Sequence, residues 1–331
     1  MCLNIRASTV EGYITAAAKL WTDRSLQNPF KPAIKSLLKV NYVQVIIEAL
    51  KRYEGEEDRK EIITDGMFLW IKQHAEKQTS EDCLERAIFD WLVWGRYGGP
   101  RRSEWCQTKK EEYEPAFNAP EGECAAFRDD DACFYDREGR QRDVDCITEE
   151  ELAISEMRWR YQKNGVRNEK IPYAKDDENP NWCAALAMHR IAKRARRLGV
   201  KKHEPIGKYR DARDGKVYFI TDTQVTELLR KAAKIVLGIT DERLLEKWAT
   251  HSVRITAANE LHRNNFSEPF IKKRLRWLSD SFMKYLRNTI HVARLHTLGL
   301  AKSSITARES EKDVPLFRAP SDQDILWEIP R

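Results

Sequence analysis

The sequence lacks the features that mark secreted and membrane proteins. Its opening residues, MCLNIRAS, have no apolar core of the length that a signal peptide needs. No stretch approaches the ~20 apolar residues of a membrane span. The 7 cysteines are an odd number and include no CxxC pair, so a disulfide framework is not expected. We therefore expect a soluble, intracellular protein with reduced thiols and no membrane partner.

The sequence also lacks the usual signs of a metal or nucleotide cofactor. Several cysteines share one polar segment: Cys106, Cys124, Cys133 and Cys146. Structural zinc sites usually bring their ligands in closely spaced pairs, which these residues do not form. No acidic metal cluster is evident, and the P-loop pattern GxxxxGK[ST] does not occur. The sequence therefore predicts no metal and no cofactor.

What the sequence has is material for a large packed core. Hydrophobic residues make up 41% of the chain and aromatic residues 10%, with 10 tryptophans. The 58 lysines and arginines exceed the 52 acidic residues by little, so the position of the charges is more informative than their sum. A length of 331 residues exceeds that of most single domains. We expect one large domain with a smaller companion.

Changes in local composition predict the domain boundaries. Helical patterning in 1–55 is followed by a polar run, EGEEDRKE, whose residues 56–61 are interpreted as a linker. The main domain is predicted over 62–300, with a polar, acidic insertion of little periodic structure at 106–150. Residues 301–331 combine scattered apolar residues with many charges, which predicts a flexible tail.

Most of the periodic segments are helical. Helices are predicted over 8–22 and from about Pro32 to Tyr53, and a further helix ends at the glycines that precede Pro100. The strand-like piece ACFYDREGR lies in the insertion, and the alternating residues of 154–173 predict a β-hairpin with a QKNG turn. The predicted class is mainly α with a small β-hairpin or sheet, an α+β fold.

The predicted helix at 182–199, WCAALAMHRIAKRARRLG, is strongly basic. One interpretation is a solvated face beside a buried stripe of leucine and isoleucine. The other is a face that contacts phosphate groups. The sequence favours neither, and the helix does not decide the function.

The string GPRRSEW at 99–105 follows directly after a buried helix. It places Arg101 and Glu104 at the start of the next helix. One interpretation is a capping arrangement in which Ser103 and Glu104 begin a helix and the arginines are solvated. The other is a functional arginine supported by a carboxylate, and the string alone favours capping.

The string HSVR places His251 and Arg254 on one face of a helix. The same spacing occurs in HVAR at 291–294, so the pattern is weak on its own. Only HSVR is followed by RLRWLSDSFMKYLRN, in which Tyr285 comes eight residues after Trp277 on a helix capped by Ser279 or Asp280. Taken singly, Trp277 is more often a core residue, and Tyr285 fits a plain amphipathic helix.

Taken together, these strings resemble the ordered signature of tyrosine recombinases and integrases: Arg, hairpin Lys, His-x-x-Arg, His or Trp, Tyr. The residues in those places are Arg101, Lys163, His251, Arg254, Trp277 and Tyr285, with Glu104 in the supporting place. The resemblance covers 99–288. Within the family, the chain is most similar to recombinases of eukaryotic mobile elements of the Crypton type. The chain departs from the family in its short amino-terminal segment and in its long acidic insertion.

The resemblance implies a catalytic domain preceded by a short helical core-binding segment that clamps DNA. It implies a site-specific recombinase that cleaves and rejoins double-stranded DNA through a 3′-phosphotyrosine. Such enzymes work as four protomers on DNA without metal or ATP, and the protein would be nuclear in a eukaryotic host.

The chemistry of the residues agrees with these roles. Paired guanidiniums such as Arg101 and Arg254 can meet the charge on non-bridging phosphate oxygens. Tyr285 is the expected nucleophile, and His251, with a pKa near working pH, is expected to assist its proton transfer or to hydrogen-bond the phosphate. The resemblance gives Lys163 the protonation of the departing 5′-oxygen, and Trp277 offers an indole N–H to the phosphate.

Other functions stay open at this point. A type IB topoisomerase shares the chemistry but relaxes supercoils as a monomer. A domesticated protein of a mobile element would bind DNA without cutting it, with the steep salt dependence of phosphate contacts. A helical scaffold without a nucleic-acid role leaves the ordered motifs unexplained.

Overall fold

The computed structural model of the chain describes residues 7–26, 42–53, 59–108, 113, 115–116, 119–162, 164–278, 283 and 286. The chain divides into two compact units, Met1–Arg59 and Lys60–Arg331, and the division falls within the predicted linker. Lys163, Tyr285, the HVAR string and the predicted tail lie outside the described residues. In the ranges that are described, no helix combines the length and apolar character needed to cross a membrane.

The smaller unit contains two helices, α1 (Ala7–Asp23) and α2 (Tyr42–Tyr53). The first predicted helix is confirmed, and the second is confirmed from Tyr42 onward, since residues 27–41 lie outside the described ranges. Ile47 is buried, and Lys51 Nζ lies 2.5 Å from Glu11 Oε1 across the two helices.

The larger unit mixes helices with small antiparallel sheets, as the sequence predicted at the level of fold class. Its helices are α3 (Asp65–Glu76), α4 (Leu84–Gly98), α5 (Arg102–Trp105), α6 (Ala184–Arg197), α7 (Asp222–Leu237), α8 (Glu242–Leu245), α9 (His251–Arg263) and α10 (Glu268–Leu275). Its strands are β1 (Ala132–Asp136), β2 (Gln141–Arg142), β3 (Leu152–Tyr161), β4 (Arg167–Ala174), β5 (Lys208–Arg210) and β6 (Val217–Phe219).

The predicted hairpin is confirmed as β3 and β4, which pair with Trp159 opposite Glu169. The strands belong to a four-stranded sheet in the order β2-β1-β3-β4, and β5 pairs with β6 in a separate ribbon. Alternation along β3 buries Met157 and Trp159 on one face, as the period of a half-buried strand requires.

Over its described residues, the insertion at 106–150 has little regular structure, as predicted. Its strand-like piece is confirmed as β1, which pairs with β2 and with β3, where Phe134 lies opposite Ser155. Ion pairs also join the insertion to the sheet, which its acidic composition did not predict. Asp131 is 1% exposed, and its oxygens accept hydrogen bonds from Arg158 Nε at 3.1 Å and Arg160 Nε at 2.8 Å. Acidic residues of the insertion are therefore partners of arginines on β3.

A cluster of aromatic rings joins α4 to the sheet. Trp94 stacks on Trp159 with ring centroids 5.8 Å apart, and Trp91 stacks on Trp105 at 5.5 Å. Phe127 lies against both Trp94 and Trp159. Large buried rings contribute much of the apolar burial of a core, so this cluster fixes the end of α4 beside β3.

The arginines of the basic helix α6 form ion pairs within the chain. Arg190 Nε and Arg194 Nη2 lie 2.7 and 2.5 Å from the two oxygens of Asp90, a buried residue of α4. Arg196 pairs with Asp129, and Arg197 pairs with Asp82. The basic residues of α6 are therefore partners of acidic residues on or near α4 and in the insertion. These ion pairs weaken the interpretation that this face of α6 contacts phosphate groups.

Candidate functional site

The predicted carboxyl end of α4 is confirmed at Gly98. Gly99 follows as the C-cap with φ +51°, a conformation that glycine adopts at low cost. A Cβ at Gly99 would lie 2.9 Å from Leu275 Cδ2, so the turn also needs the small residue for packing. The carbonyl groups at this helix end carry partial negative charge, which favours nearby cations.

Arg101 and Glu104 lie at the start of α5 and contact each other. Arg101 donates from its backbone N to Glu104 Oε2 at 2.8 Å and from Nη1 to Glu104 Oε1 at 3.0 Å. The capping interpretation is therefore correct for the carboxylate, although Arg101 and not Ser103 is the capping position. The Arg101 side chain is 26% exposed, so its guanidinium is oriented by Glu104 and still reaches solvent.

Glu104 is 3% exposed and receives further donors. Trp159 Nε1 lies 3.3 Å and Arg276 Nη2 lies 3.2 Å from its Oε2 atom. Burial by itself raises the pKa of this carboxyl group, but the charges of Arg276, Arg101 and Arg254 outweigh burial and hold the pKa below its ordinary value. Glu104 is therefore a carboxylate at neutral pH, placed among guanidiniums.

Arg254 connects α9 to the same turn. It donates from Nη1 to the Gly99 carbonyl oxygen at 2.6 Å and from Nη2 to the Leu275 carbonyl oxygen at 2.5 Å. Its Cζ atom lies 4.8 Å from the ring centroid of Trp277. Arg254 is buried, with 3% exposure. Its guanidinium plane is fixed by carbonyl groups from two separate segments.

His251 is the first residue of α9 and is partly buried. Burial lowers its pKa to about 4, with further lowering by the positive charges of Arg254, Lys60 and Arg101. The expectation of a pKa near working pH was wrong. The imidazole is neutral at pH 7 and can accept a proton, and a phosphate anion beside it would favour the protonated form.

The structure thus brings together Arg101, Glu104, His251, Arg254 and Trp277. Lys163 and Tyr285 lie outside the described residues, so their positions remain predictions. The turn on either side of Lys163 is held by side chains, because Gln162 Nε2 donates to Glu169 Oε2 at 2.6 Å and the Val166 N–H donates to Asn164 Oδ1 at 3.0 Å.

Three further residues belong to this cluster and were not predicted from the sequence: Arg276, Trp159 and Lys60. Arg276 is next to Trp277, and Trp159 occupies an inward position of the predicted hairpin. These two positions in the sequence are the signals from which Arg276 and Trp159 could have been assigned to the cluster. Lys60, in the predicted linker, donates from Nζ to the Glu246 carbonyl oxygen at 2.8 Å. Nothing in its local sequence indicates that it lies near His251.

No model of a known protein family matches the chain, and no curated protein matches it. Over the described ranges, histidine, cysteine, aspartate and glutamate residues form no group of three or more suited to a metal ion. The residues that gather at the end of α4 are instead cations around one carboxylate. Such a cluster can bind an anion and stabilise further negative charge on it.

Proposed function

We propose that the chain is a site-specific DNA recombinase of the tyrosine recombinase type. It cleaves and rejoins double-stranded DNA through a covalent bond between a 3′-phosphate and Tyr285. The observation that carries the proposal is the meeting of two distant motifs. GPRRSEW and HSVR meet through the 2.6 Å hydrogen bond from Arg254 Nη1 to the Gly99 carbonyl oxygen.

The cationic cluster suits a phosphodiester. Arg101 presents a partly exposed guanidinium held by Glu104, and Arg254 lies next to Trp277. Guanidiniums match the geometry of phosphate oxygens and can stabilise the charge that grows on them during attack. A metal ion is not needed where arginines supply this charge.

The proposed reaction is a transfer between phosphate esters. The Tyr285 phenolate attacks phosphorus, the bond to the 5′-oxygen breaks, and Lys163 supplies the proton that leaves with the 5′-hydroxyl. Neutral His251 is suited to accept the phenol proton. Rejoining is the reverse attack by a 5′-hydroxyl of a partner strand, and the covalent bond conserves the energy of the broken ester, so no ATP is required. Strand exchange between two sites requires four protomers on DNA. In a eukaryotic host the DNA substrate places the protein in the nucleus.

The experiment is a search for a covalent adduct on nicked duplexes whose sequence is randomised around the nick. A nick near the cleavage point releases a short fragment, so rejoining fails and the adduct accumulates. Sodium dodecyl sulfate-resistant protein–DNA complexes that converge on one sequence support a recombinase. Adducts on every sequence, with relaxation of supercoiled plasmid, would instead assign a topoisomerase. Salt-sensitive binding with no adduct would assign a DNA-binding protein that does not cleave.

A further inference from the structure

Arg276 is a cation in an unusual position. Its side chain is 0% exposed, and its backbone has φ +59° at the C-cap of α10, where glycine is the common residue. A non-glycine residue at positive φ is under backbone strain. Burial also lowers the pKa of its guanidinium, with an opposing contribution from Glu104. A strained and buried arginine persists only where its contacts require it.

The contacts of Arg276 are with the end of α4, which binds Arg254, and with Glu104, which binds Arg101. Arg276 donates from Nη1 to the Gly98 carbonyl oxygen at 2.9 Å, and from Nη2 to the Gly99 carbonyl oxygen at 3.4 Å and to Glu104 Oε2 at 3.2 Å. Its Cζ atom lies 3.9 Å from the ring centroid of Trp159, whose indole N–H donates to the same carboxylate oxygen. Arg276 therefore binds the carboxyl end of α4 and the carboxylate that orients Arg101.

The next residue along the chain is Trp277, whose ring packs against Arg254. A displacement of Arg276 would move Trp277, and loss of its guanidinium would leave the Gly98 and Gly99 carbonyl groups with fewer donors. Arg254 depends on the Gly99 carbonyl oxygen for one of its hydrogen bonds. The contacts of Arg276 thus reach Arg101 through Glu104 and Arg254 through Gly99 and Trp277.

We propose that Arg276 is a positioning residue of the phosphate site: it fixes Glu104 and the end of α4, and through them the guanidiniums of Arg101 and Arg254. The proposal rests on the proposed function. It assigns Arg276 no contact with DNA and no proton transfer. Its contribution is to the geometry in which the two arginines meet a reacting phosphate.

The matched variants are Arg276→Met and Arg274→Met. Arg274 is two residues earlier and also stacks on an aromatic ring of the hairpin, with its Cζ atom 4.4 Å from the Tyr173 centroid. It donates to the Pro172 carbonyl oxygen at 2.8 Å. No described hydrogen bond or ion pair joins Arg274 to Glu104. We expect Arg276→Met to slow adduct formation in a single turnover by roughly 10- to 100-fold, since misplacing a site residue by about 1 Å can cost up to about 100-fold in rate. DNA affinity should change little, and Arg274→Met should react at close to the wild-type rate.

The pH profile separates positioning from a loss of fold. The charged and titratable groups facing Glu104 are Arg101, Arg254, Arg276 and Tyr173. Removal of the Arg276 charge removes a cause of the low Glu104 pKa, so the acid limb of the rate profile should move to higher pH. Arg276→Lys restores the charge without the forked donors and should recover part of the rate. If Arg276→Met does not fold, Arg276→Lys is compared with the wild type instead. We then expect slower adduct formation at an unchanged DNA affinity.

A double-mutant comparison tests the route through Glu104. If Arg276 acts through this carboxylate, Arg276→Met should slow a Glu104→Gln protein much less than it slows the wild type. If the double mutant is slowed by the product of the two single-mutant factors, the proposal is overturned. Equal losses of rate in Arg276→Met and Arg274→Met would also overturn it. Failure of the wild type to form any adduct would contradict the proposed function instead. Titration of the Glu104 carboxyl group by 13C NMR then tests the Arg276 contact alone: a pKa unchanged in Arg276→Met overturns it.

Discussion

Arg254 Nη1 lies 2.6 Å from the carbonyl oxygen of Gly99, and this hydrogen bond joins two motifs that are separated by 155 positions. It is the contact on which the proposed site depends, because it places the buried guanidinium of Arg254 at the same turn that leads to Arg101. The turn itself depends on a residue without a side chain.

Gly99→Ala is expected to destabilise the protein and slow adduct formation. The alanine would hold φ +51° under strain, and its Cβ would lie 2.9 Å from Leu275 Cδ2 and 3.3 Å from the Ala257 Cβ. The matched control is Gly139→Ala, since Gly139 has φ +76° and nothing within 4 Å of an added Cβ. Both variants carry backbone strain of about 1 kcal/mol. Denaturant unfolding should show a clearly larger loss for Gly99→Ala, and equal losses would contradict the packing argument.

Arg254→Lys is expected to abolish most of the cleavage activity. A lysine keeps the charge but cannot donate in the guanidinium plane to the Gly99 and Leu275 carbonyl oxygens together. Loss of a group that stabilises transition-state charge costs on the order of 100-fold or more in rate. The control is Arg294→Lys in the HVAR string, which has the same spacing without the companion residues. Comparable losses in both variants, measured as adduct formed per minute, would remove the distinction between the two strings.

Much of the architecture could be predicted from local sequence, and so could some of the residues of the candidate site. Paired glycines before Pro100 predicted the end of α4, and alternation along β3 predicted the hairpin that carries Trp159. The ion pairs that join the acidic insertion to the sheet could not be predicted, because carboxylates such as Asp131 are normally solvated, and only their pairing with arginines on a distant strand explains their burial. Arg276 could not be assigned from sequence, because its role depends on a left-handed backbone and on contacts with α4 and β3.

Asp131→Asn tests how firmly the insertion is integrated into the fold. The substitution leaves the side chains of Arg158 and Arg160 beside a neutral amide, and Arg160 is only 11% exposed. Breaking a buried ion pair on one side typically costs about 3–5 kcal/mol of unfolding free energy. Asp143→Asn is the control, since that carboxylate is 52% exposed and lies 3.6 Å from Arg196. We expect the control to lose less than about 1 kcal/mol in urea unfolding.

His189 is expected to make stability fall in mild acid. The residue is 0% exposed, its Nε2 atom lies 3.1 Å from the Ile147 carbonyl oxygen, and burial lowers its pKa from 6.5 to about 4. Below pH 6.5 the unfolded chain binds a proton here that the folded chain does not, so the unfolding free energy decreases as the pH falls toward 4. The decrease from this group is at most about 3 kcal/mol.

The measurement is urea unfolding between pH 7 and pH 4 for wild type, His189→Gln and His203→Gln. His189→Gln should flatten the pH dependence, whatever its cost at pH 7. His203 has a side chain that is 73% exposed, and its replacement serves as the surface control. The same slope in all three proteins would show that His189 is not held neutral by burial.

Identification of the residue that carries DNA after cleavage is the most direct test of the central claim. Adducts formed on a nicked duplex are digested with nuclease and protease, and the peptide that retains a nucleotide is sequenced by mass spectrometry. We predict that the nucleotide is attached to Tyr285 through its 3′-phosphate and that Tyr285→Phe forms no adduct while it still binds the duplex. A nucleotide on another residue, or undiminished adduct formation by Tyr285→Phe, would contradict the account.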